Sequence, residues 1–516
     1  MWVWWIVLGL VLAVVVYDLF QRKHAILRNF PIIGHFRYLL EAVGPELRQY
    51  IVTGNDEERP FSRDQRRWIY ASSKKQNNYF GFGTDNHFEE ESNYLIIKHS
   101  AFPLEDPHPG EPGYDPLYPL PCAKVMGAGH GRAKAFRPRS VVNISAMSYG
   151  SLSKAAIEAL NRGAAIAGCL HNTGEGGVSP HHLHGGELIW QVGTGYFGCR
   201  TPEGQFDLDK LVATCARHPI RAIEIKLSQG AKPGRGGVLP APKVTAEVSQ
   251  IRGIPMGKDC ISPSGHRAFH DVPSLIDFIE RIAEATGLPV GIKSAVGQTD
   301  FFEQLADRMV AEGRGPDFIT IDGGEGGTGA APLVFADHVA LPFLQAFPRV
   351  YRIFAERGLH EKVIFIGSGR LGLPESALLA FSLGCDMVNV AREAMLSIGC
   401  IQAQRCESGH CPTGVATQNK WLVGGLDPTL KSARFANYVC ILRKELLWLV
   451  HACGVSHPAH IGDAHIELMD GLAGGRAPSA IFGYGPGFGH PSAEDLSTID
   501  EIMAQGGRVN DERIPT

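Results

Sequence analysis

Apolar positions along the chain follow two different patterns. Residues 2–20 are almost wholly apolar and carry no charge apart from Asp18. From residue 141 onward, short apolar runs alternate with longer stretches in which apolar residues recur at helical spacing. The first pattern predicts a single apolar helix. The second predicts a body in which buried strands alternate with amphipathic helices.

Six runs have the continuous apolar character of strands that are buried on both faces. They are VVNISAM (141–147), RAIEIKL (221–227), PVGIKSA (289–295), DFITIDGG (317–324), KVIFIGSG (362–369) and MVNVAR (387–392). Helical stretches such as residues 153–168 and 301–313 separate some of them. This alternation predicts an α/β fold, a (β/α)8 barrel of the TIM type. A doubly wound open sheet is the alternative.

The apolar start of the chain predicts a membrane anchor. Residues 2–20 are slightly short of the roughly 20 apolar residues that cross a bilayer core. Arg22, Lys23 and Arg28 follow, which places the body of the protein in the cytoplasm. The alternative is a cleaved signal peptide, but a basic leading region and a small-residue cleavage site are missing. We therefore expect a single-pass N-terminal transmembrane helix.

The sequence divides into four regions that differ in composition and in hydrophobic pattern. Residues 1–28 form the anchor, and residues 29–135 form an irregular juxtamembrane and wrapping region. The barrel domain is predicted over residues 136–425, followed by a helix and a Gly/Pro-rich, loosely structured tail over 426–516. Within the barrel, residues 230–270 form a long Gly/Pro-rich excursion that we expect to lie over the ligand site.

Composition narrows the function. The net charge is only -4, so no basic surface indicates nucleic acid. The 11 cysteines are an odd count in a body predicted to be cytoplasmic, where a disulfide framework is not expected. A tight group of cysteines is then more typical of metal binding or catalysis.

Glycine-rich motifs follow several predicted strands, where a barrel binds its ligands. GSGRLG (367–372) matches a dinucleotide fingerprint, but Asp386 precedes the next strand and Arg392 ends it, which disfavours that interpretation. The backbone of residues 367–369, a helix start and Arg392 instead suit the phosphate of flavin mononucleotide, FMN. The alternative is a tight turn beside a surface arginine.

Three charged residues lie in or after predicted strands. Lys293 is mid-strand, where a cation could stabilise a reduced flavin or polarise a carbonyl. Glu175 and Glu325 stand among glycines and could transfer protons, or could simply cap a helix or turn. A fourth group, the histidine-rich segment 181–184, resembles a metal site but has no partner with ligand spacing, which favours a plain loop.

Three cysteines lie close together at positions 400, 406 and 411, and the last is followed by proline. Zinc usually takes four ligands, and a lone nucleophile would leave two of the thiols unused. Three thiolates could instead hold a three-iron cluster, each binding one iron. Spacing alone leaves these alternatives open.

The run Cys400-x5-Cys406-x4-Cys411-P-x-G-V-A-T-Q resembles the cluster-binding signature of glutamate synthases. The motifs SAMSYGSLSKAA, NTGEGG, QGAKPGRGG, ISPSGHRAFHDVPSL and DGGEGGTGAAP also match that family, in order, over about residues 130–455. The resemblance implies an FMN-binding barrel with a 3Fe-4S cluster, on which 2-iminoglutarate is reduced to glutamate.

Carried over by position, the resemblance predicts the site residues. Cys400, Cys406 and Cys411 would hold the cluster, and Lys293 and Glu175 would be catalytic. The substrate would meet Lys232, Arg235 and Glu325. The predicted FMN-binding residues are Ser145, Ala146, Met147, Ser148, Lys293, Gly323, Gly324, Gly367, Ser368, Gly369 and Arg392.

The departures from complete synthases shape the remaining expectations. Trp2 and an apolar segment stand where those enzymes have the cysteine of a glutamine amidotransferase domain, and a nicotinamide-binding domain is not evident. We expect 2-oxoglutarate with ammonia or an amine, and a separate electron donor of ferredoxin or flavoprotein type. The alternatives are an N-methylglutamate synthase-like or other imine reductase and a non-catalytic membrane-tethered redox module. A third and less favoured alternative is a barrel enzyme of the inosine-monophosphate-dehydrogenase type, with Cys400 as nucleophile.

Overall fold

The computed structural model describes residues 2–21, 25–47, 57–84, 86–88, 90–111, 113–472 and 474–509. Two compact units divide the chain, residues 1–67 and residues 68–516. The helices are Trp2–Phe20, Ala25–Asn29, Ile33–Leu47, Arg63–Ser73, Lys154–Ala167, Leu208–Arg217, Ala246–Arg252, Val272–Thr286, Asp300–Glu312, Leu333–His338, Phe343–Ala355, Pro374–Ser382, Arg392–Ser397, Lys420–Val423, Pro428–Ala452, Pro478–Phe482 and Ala493–Ala504.

Eight parallel strands close into a barrel in the second unit. In chain order they are β1 Val142–Ile144, β2 His171–Asn172, β3 Leu188–Val192, β4 Ile220–Lys226, β5 Val290–Ser294, β6 Phe318–Asp322, β7 Ile364–Ser368 and β8 Met387–Val390. Each strand pairs with its neighbours in sequence, and β8 pairs with β1 to complete the ring. The predicted TIM-type barrel is confirmed, and the open-sheet alternative is wrong because no strand edge is left unpaired.

All six predicted strands are present in the barrel, and two further barrel strands were not predicted. The first of these, β2, has only two residues, His171 and Asn172, and so offers no apolar run to recognise. The second, β3, is interrupted by the polar Gln191. Both are held by parallel pairing to neighbours that the pattern did identify.

The amino-terminal half of the barrel interior is apolar. Its buried cluster combines residues of the strands with side chains from the segment before β1: Cys122, Met126, Phe136, Leu170, Ile189, Ala222, Phe318, Ile364, Ile366 and Met387. Two cations tie that segment to the strand starts. Arg132 Nε donates to the Asp317 carboxylate at 3.0 Å, and Lys124 Nζ donates to Asp386 Oδ2, also at 3.0 Å. The segment therefore closes the amino-terminal end of the barrel.

The barrel helices begin and end where the sequence supplies caps. Helix Lys154–Ala167 starts at Ser153, whose hydroxyl accepts the N–H of Ala156 at 3.2 Å, and it ends at Gly168 with a φ of 67°. The predicted helix after the cysteines is present as Pro428–Ala452. It packs on the barrel, since Arg443 Nη1 donates to the Ala167 carbonyl at 2.9 Å.

Two regions are more ordered than their composition predicted. The excursion between β4 and helix Val272–Thr286 contains a short hairpin, Val238–Leu239 with Cys260–Ile261, and helix Ala246–Arg252. The Gly/Pro-rich tail, which we expected to be loosely structured, forms helices Pro478–Phe482 and Ala493–Ala504.

The first unit carries the predicted apolar helix, Trp2–Phe20. Its length and composition would let it cross a membrane, and a secretion signal would meet the same test. Arg22 and Lys23, on which the predicted orientation partly rests, lie outside the described residues. Near the end of the helix, the buried Asp18 carboxylate accepts the Ile32 N–H and the His35 Nε2–H, both at 3.0 Å.

Candidate active site

The carboxyl-terminal half of the barrel interior is polar, in contrast to the half below it. At its centre lies the fully buried Glu224 of β4. Its carboxylate accepts hydrogen bonds from Asn172 at 2.8 Å, Gln191 at 2.7 Å and Thr320 at 2.7 Å. These partners come from β2, β3 and β6, so the bonds cross the interior of the ring. The network fixes the base of the barrel mouth and leaves no oxygen of Glu224 without a donor.

Lys293 lies at the mouth, near the end of β5. Its Nζ atom is 3.3 Å from Oδ2 of Asp322, the last residue of β6, and both side chains are buried. Asp322 Oδ2 also accepts the Gly230 N–H at 3.0 Å. Burial lowers the pKa of Lys293, but the nearby carboxylates of Asp322 and Glu224 outweigh it and raise the pKa overall. The lysine is therefore a fixed cation at the mouth.

Lys226 forms the second ion pair of the mouth. It is the register partner of Lys293 on the adjacent strand, and its Nζ atom is 2.8 Å from Oε1 of Glu175 in the loop after β2. Burial raises the pKa of Glu175, but Lys226, Arg252 and Lys232 outweigh it and hold the pKa below its ordinary value. Glu175 is thus kept ionised by the cations around it.

Two glycines make room for the Glu175 carboxylate. A Cβ placed on Gly237, in the excursion, would lie 2.3 Å from Oε1 of Glu175. A Cβ on Gly193, after β3, would lie 2.8 Å from Oε2. The carboxylate therefore occupies a slot between two backbone segments that only glycine leaves open.

Lys232 joins this group from the excursion. It is buried, and its Nζ atom donates to the Ala330 carbonyl at 2.8 Å. Burial and the neighbouring Lys226 lower the pKa of Lys232 to about 8, against the opposing effect of Glu175. Arg235, predicted beside it, is exposed and places its guanidinium carbon 5.5 Å from the centre of the Phe335 ring. Lys232 thus belongs to the mouth, whereas Arg235 stands at its rim.

The predicted FMN-binding residues lie along one arc of the mouth, from β5 through β6, β7 and β8 to β1. Ser145 Oγ, after β1, is 3.5 Å from Ser368 Oγ at the end of β7. The Ser368 carbonyl accepts the Gly323 N–H at 2.9 Å. The arc also includes Ala146, Met147, Ser148, Gly324, Gly367 and Gly369. Lys226, Glu175 and Glu224 lie on the remaining arc, β2 to β4, and Thr320 of β6 reaches Glu224 across the ring.

Two other predicted residues are engaged with the backbone at the edge of this arc. The Glu325 carboxylate accepts the N–H of Phe343, at 2.9 Å and 3.1 Å from its two oxygens, at the start of helix Phe343–Ala355. Burial raises the pKa of Glu325. Arg392, after β8, donates through Nη2 to the carbonyl of Glu325. Glu325 therefore has the helix-capping role that the sequence left open, and Arg392 braces the same loop.

The histidine segment forms a loop, as the pattern favoured. His181 Nε2 is 2.9 Å from Glu247 Oε1, and His182 is buried with Nδ1 2.8 Å from the Ser179 hydroxyl. The backbone N–H of His184 donates to Asn161. Within the described ranges, no three His, Cys, Asp or Glu side chains are grouped so that they could hold one metal ion.

The cysteine segment lies against the excursion. The buried Lys243 donates through Nζ to the Cys406 carbonyl at 2.7 Å and to the Ser151 carbonyl at 3.0 Å. It thereby joins the cysteines to the loop after β1. The Tyr70 hydroxyl donates to the Cys400 carbonyl at 2.7 Å.

Cys400, Cys406 and Cys411 form no disulfide. Burial raises the pKa of Cys411, but N–H groups of Ala416, Thr413 and Val415 together with the Thr413 hydroxyl outweigh it and lower the pKa. For Cys406, burial and the neighbouring Cys411 raise the pKa. Cys411 therefore sits in a nest of donors that favours a thiolate.

Sequence reasoning missed the residues at the centre of the mouth. Glu224 and Lys226 alternate with isoleucines on β4, and Thr320 and Asp322 alternate with isoleucine on β6. A polar residue at every second position of an otherwise apolar strand indicates one face turned toward a polar barrel interior. That signal was present in RAIEIKL and DFITIDGG.

A closed barrel whose mouth collects lysines and carboxylates is an arrangement typical of enzymes. The family model described as "Conserved region in glutamate synthase" matches residues 126–456, which include all eight strands and the cysteine segment. The chain belongs to the glutamate synthase family, and it is an oxidoreductase of that type.

Curated relatives agree with this assignment. The glutamate synthase large subunit-like protein YerD of Bacillus subtilis (strain 168) is 38% identical over 475 residues, 86% of this chain and 90% of that protein. The archaeal-type glutamate synthase (NADPH) of Thermotoga neapolitana is 37% identical over 319 residues, 61% of this chain and 59% of that protein. The archaeal glutamate synthase (NADPH) of Methanocaldococcus jannaschii is 36% identical over the same shares. The chain thus spans less than two thirds of these last two relatives.

The solved structures that match are more distant in sequence than these relatives. A flavocytochrome b2 variant with benzoylformate has a TM-score of 0.44 and 12% identity, covering 90% of this chain and 92% of that one. A mandelate oxidase variant with (S)-mandelic acid has a TM-score of 0.35 and 14% identity, covering 70% and 87%.

Proposed function

We propose that the chain reduces 2-iminoglutarate, formed from 2-oxoglutarate and ammonia, to L-glutamate with FMN as the hydride carrier. The observation that carries this proposal is the group of cations at the mouth. Lys226, Lys232 and Lys293 converge there, with Glu175 and Asp322 as their carboxylate partners. A dicarboxylate with a positively charged nitrogen is complementary to such a site.

The residues fit FMN by their size and charge. Along the predicted cofactor arc, Ser145, Gly323, Ser368 and Gly369 are small, so the backbone can approach a flat ring system closely. Lys293 supplies a fixed cation on the same arc, which suits the negative charge of a reduced flavin. When bound, FMN would supply the hydride, and the chain's own residues would bind the substrate and transfer protons.

Those residues divide the work between binding and proton transfer. Lys226 and Lys232 would hold the substrate carboxylates. Lys226 lies at the end of β4 and Lys232 follows that strand, so both are outside the arc of predicted cofactor residues. Glu175, which is kept ionised, would hold the ammonium nitrogen, accept a proton from it as it condenses with the 2-oxo group, and return a proton to the amine of the product. Starting from 2-oxoglutarate and the ammonium ion, condensation and reduction together consume one hydride and one proton and release one water. Arg235, at the rim of the mouth, would attract the doubly negative 2-oxoglutarate.

The cysteine segment is proposed to hold a 3Fe-4S cluster through Cys400, Cys406 and Cys411. The donor nest around Cys411 favours the thiolate that such a cluster requires. In a three-iron cluster each thiolate binds a different iron, so the three sulfur atoms need not converge on one point. The link through Lys243 to the loop after β1 would give the cluster a short connection to the flavin arc.

The nitrogen and electron sources complete the proposal. Free ammonia or an amine would enter the mouth, and electrons would come from a separate ferredoxin-like or flavoprotein donor. We further propose that Trp2–Phe20 anchors the chain in the membrane with its body in the cytoplasm. Deleting residues 1–28 should then release a soluble, flavin-loaded protein. Full-length protein that is already soluble without detergent would refute the anchor.

The enzymatic proposal is tested with purified, chemically reduced holoprotein. Addition of 2-oxoglutarate with ammonia should reoxidise the flavin and produce glutamate in equal amount, and 2-oxoglutarate alone should not. Glutamine should not replace ammonia in this assay. Reoxidation that ignores 2-oxoglutarate refutes the substrate.

The same assay separates the alternatives. Methylamine that works better than ammonia would indicate an N-methylglutamate synthase-like enzyme. Bound FMN with no turnover on any 2-oxo acid would indicate a non-catalytic redox module.

A further inference from the structure

The helix Ile33–Leu47 in the first unit carries an apolar stripe on its surface. Apolar residues stand at positions 33, 36, 40, 43 and 47, alternately three and four residues apart, which places them on one face. Their exposed fractions range from 38% at Val43 to 75% at Ile33. Leu39 beside them is also exposed. The helix therefore has an apolar face that the described residues of its own unit do not cover.

The opposite face of this helix is polar. Arg37 and Glu41 lie 4.0 Å apart there, and Tyr38 lies on the same side. Phe36 and Tyr38 consequently point to nearly opposite sides of the helix, because two residues correspond to about 200° of rotation. A helix with one apolar face, one polar face and a length of 15 residues is typical of elements that lie in a membrane interface.

The helix is attached directly to the candidate membrane helix. Asp18, near the end of Trp2–Phe20, is fully buried and accepts hydrogen bonds from the Ile32 N–H and His35 Nε2. Both partners lie within the first turn of Ile33–Leu47 or just before it. The amphipathic helix thus begins at the end of the apolar helix, the level at which a bilayer surface would lie.

The charge of the connecting sequence identifies the surface. No Asp or Glu occurs between Asp18 and Glu41. That interval contains Arg22, Lys23, Arg28 and Arg37. Basic residues beside a membrane segment are attracted to anionic headgroups. An uninterrupted basic segment between two apolar elements is complementary to an anionic leaflet.

We propose that Ile33–Leu47 is an interfacial helix that lies on the surface of an anionic bilayer, with Phe36, Leu40 and Val43 directed into the lipid. The helix adds a second membrane contact to the anchor and restricts how the first unit rests on the leaflet. The proposal is independent of the reaction at the barrel mouth.

Photo-crosslinking of the full chain in vesicles tests this. p-Benzoylphenylalanine is introduced by three separate substitutions, Leu10→p-benzoylphenylalanine, Phe36→p-benzoylphenylalanine and Tyr38→p-benzoylphenylalanine. The protein is reconstituted in phosphatidylglycerol/phosphatidylethanolamine vesicles, irradiated, and analysed by mass spectrometry of the crosslinked peptides. Phe36 and Tyr38 form a matched pair, because both are aromatic and they lie on opposite faces of one helix. Bound flavin reports that each variant is folded.

The expected result is a lipid adduct at positions 10 and 36 with little at position 38, and a lower yield at position 36 in purely phosphatidylcholine vesicles. An adduct from position 36 to protein, or no adduct there while position 10 reacts with lipid, overturns the proposal. Equal lipid adducts at positions 36 and 38 overturn the interfacial orientation. An unchanged yield in phosphatidylcholine overturns the anionic preference. The absence of a lipid adduct at position 10 refutes the membrane anchor itself.

Discussion

Lys226 and Lys293 occupy the same level of adjacent strands, and each has its own carboxylate, Glu175 and Asp322 respectively. The two pairs differ in what surrounds the carboxylate. Asp322 is also held by the Gly230 N–H, whereas Glu175 lies in a slot between glycines at the mouth. We therefore regard Lys293–Asp322 as the fixed pair and Lys226–Glu175 as the pair that a substrate can reorganise.

The slot around Glu175 predicts the effect of a single methyl group. In Gly237→Ala, the new Cβ would lie 2.3 Å from Glu175 Oε1, so the carboxylate must move away from Lys226. We expect glutamate formation to fall roughly ten- to hundredfold, the scale on which misplaced reacting groups act. Steady-state kinetics with 2-oxoglutarate and ammonia measure this.

The matched control is Gly265→Ala in the same excursion, where an added Cβ meets nothing within 4 Å. It should retain near-normal activity. If both variants behave alike, the slot has no role in the reaction.

Lys232 predicts a pH dependence of substrate binding. Its pKa is lowered to about 8, so it is charged below that pH and loses its charge as the pH rises through it. The KM for 2-oxoglutarate should therefore be constant below about pH 7.5 and increase above pH 8. Lys232→Arg should remove this increase, because arginine stays protonated, even if the KM is higher throughout.

The exposed Lys258 lies in the same excursion and provides the control. Lys258→Arg should leave the pH profile unchanged. A KM that increases equally in the Lys232→Arg variant assigns the titration to another group.

The fixed ion pair predicts that stability and activity can be separated. Lys293→Met leaves the Asp322 charge buried without its cation, and should lower the free energy of unfolding by about 3–5 kcal/mol. Adding Asp322→Asn removes that charge and should restore most of the loss. Flavin reoxidation by 2-oxoglutarate and ammonia should remain slow in both variants. Denaturant titration and stopped-flow absorbance give the two readouts, and a double variant with normal reoxidation would exclude Lys293 from the reaction.

The cluster proposal predicts which cysteines matter. Protein purified without oxygen should contain about three irons per chain and give the paramagnetic signal of an oxidised 3Fe-4S centre. Cys406→Ser should lose both. Cys169→Ser and Cys385→Ser should keep them, because both thiols are buried elsewhere, where burial raises their pKa, for Cys169 to about 12. Zinc in place of iron would refute the cluster.

The sequence was sufficient for the barrel but not for its mouth. Apolar runs such as that of β7 identify buried strands, because the strands of a parallel sheet are usually covered on both faces. The contact of Asn172 with Glu224 joins residues 52 positions apart on strands that are not neighbours. It exists only because the sheet closes, so no local pattern encodes it.

The prediction for the tail was wrong for a different reason, because its overall composition was given more weight than a local helix signal. Helix Ala493–Ala504 begins at Ser492, whose hydroxyl accepts the Asp495 N–H at 3.1 Å. Leu496, Ile499 and Met503 follow at helical spacing. The glycines and prolines of the tail suggested a loosely structured segment, although the sequence shows both the capping residue and the helical spacing.

The apolar floor of the barrel limits how protons reach the reaction. The cluster around Phe318 and Ile366 fills the amino-terminal half of the interior, and the segment before β1 covers it. Each turnover of the proposed reaction consumes a proton, and the described side chains of this cluster, which are apolar apart from the Cys122 thiol, are not suited to relay one. Protons must therefore arrive from the same side as the substrates, past Lys232 and the Glu175 slot.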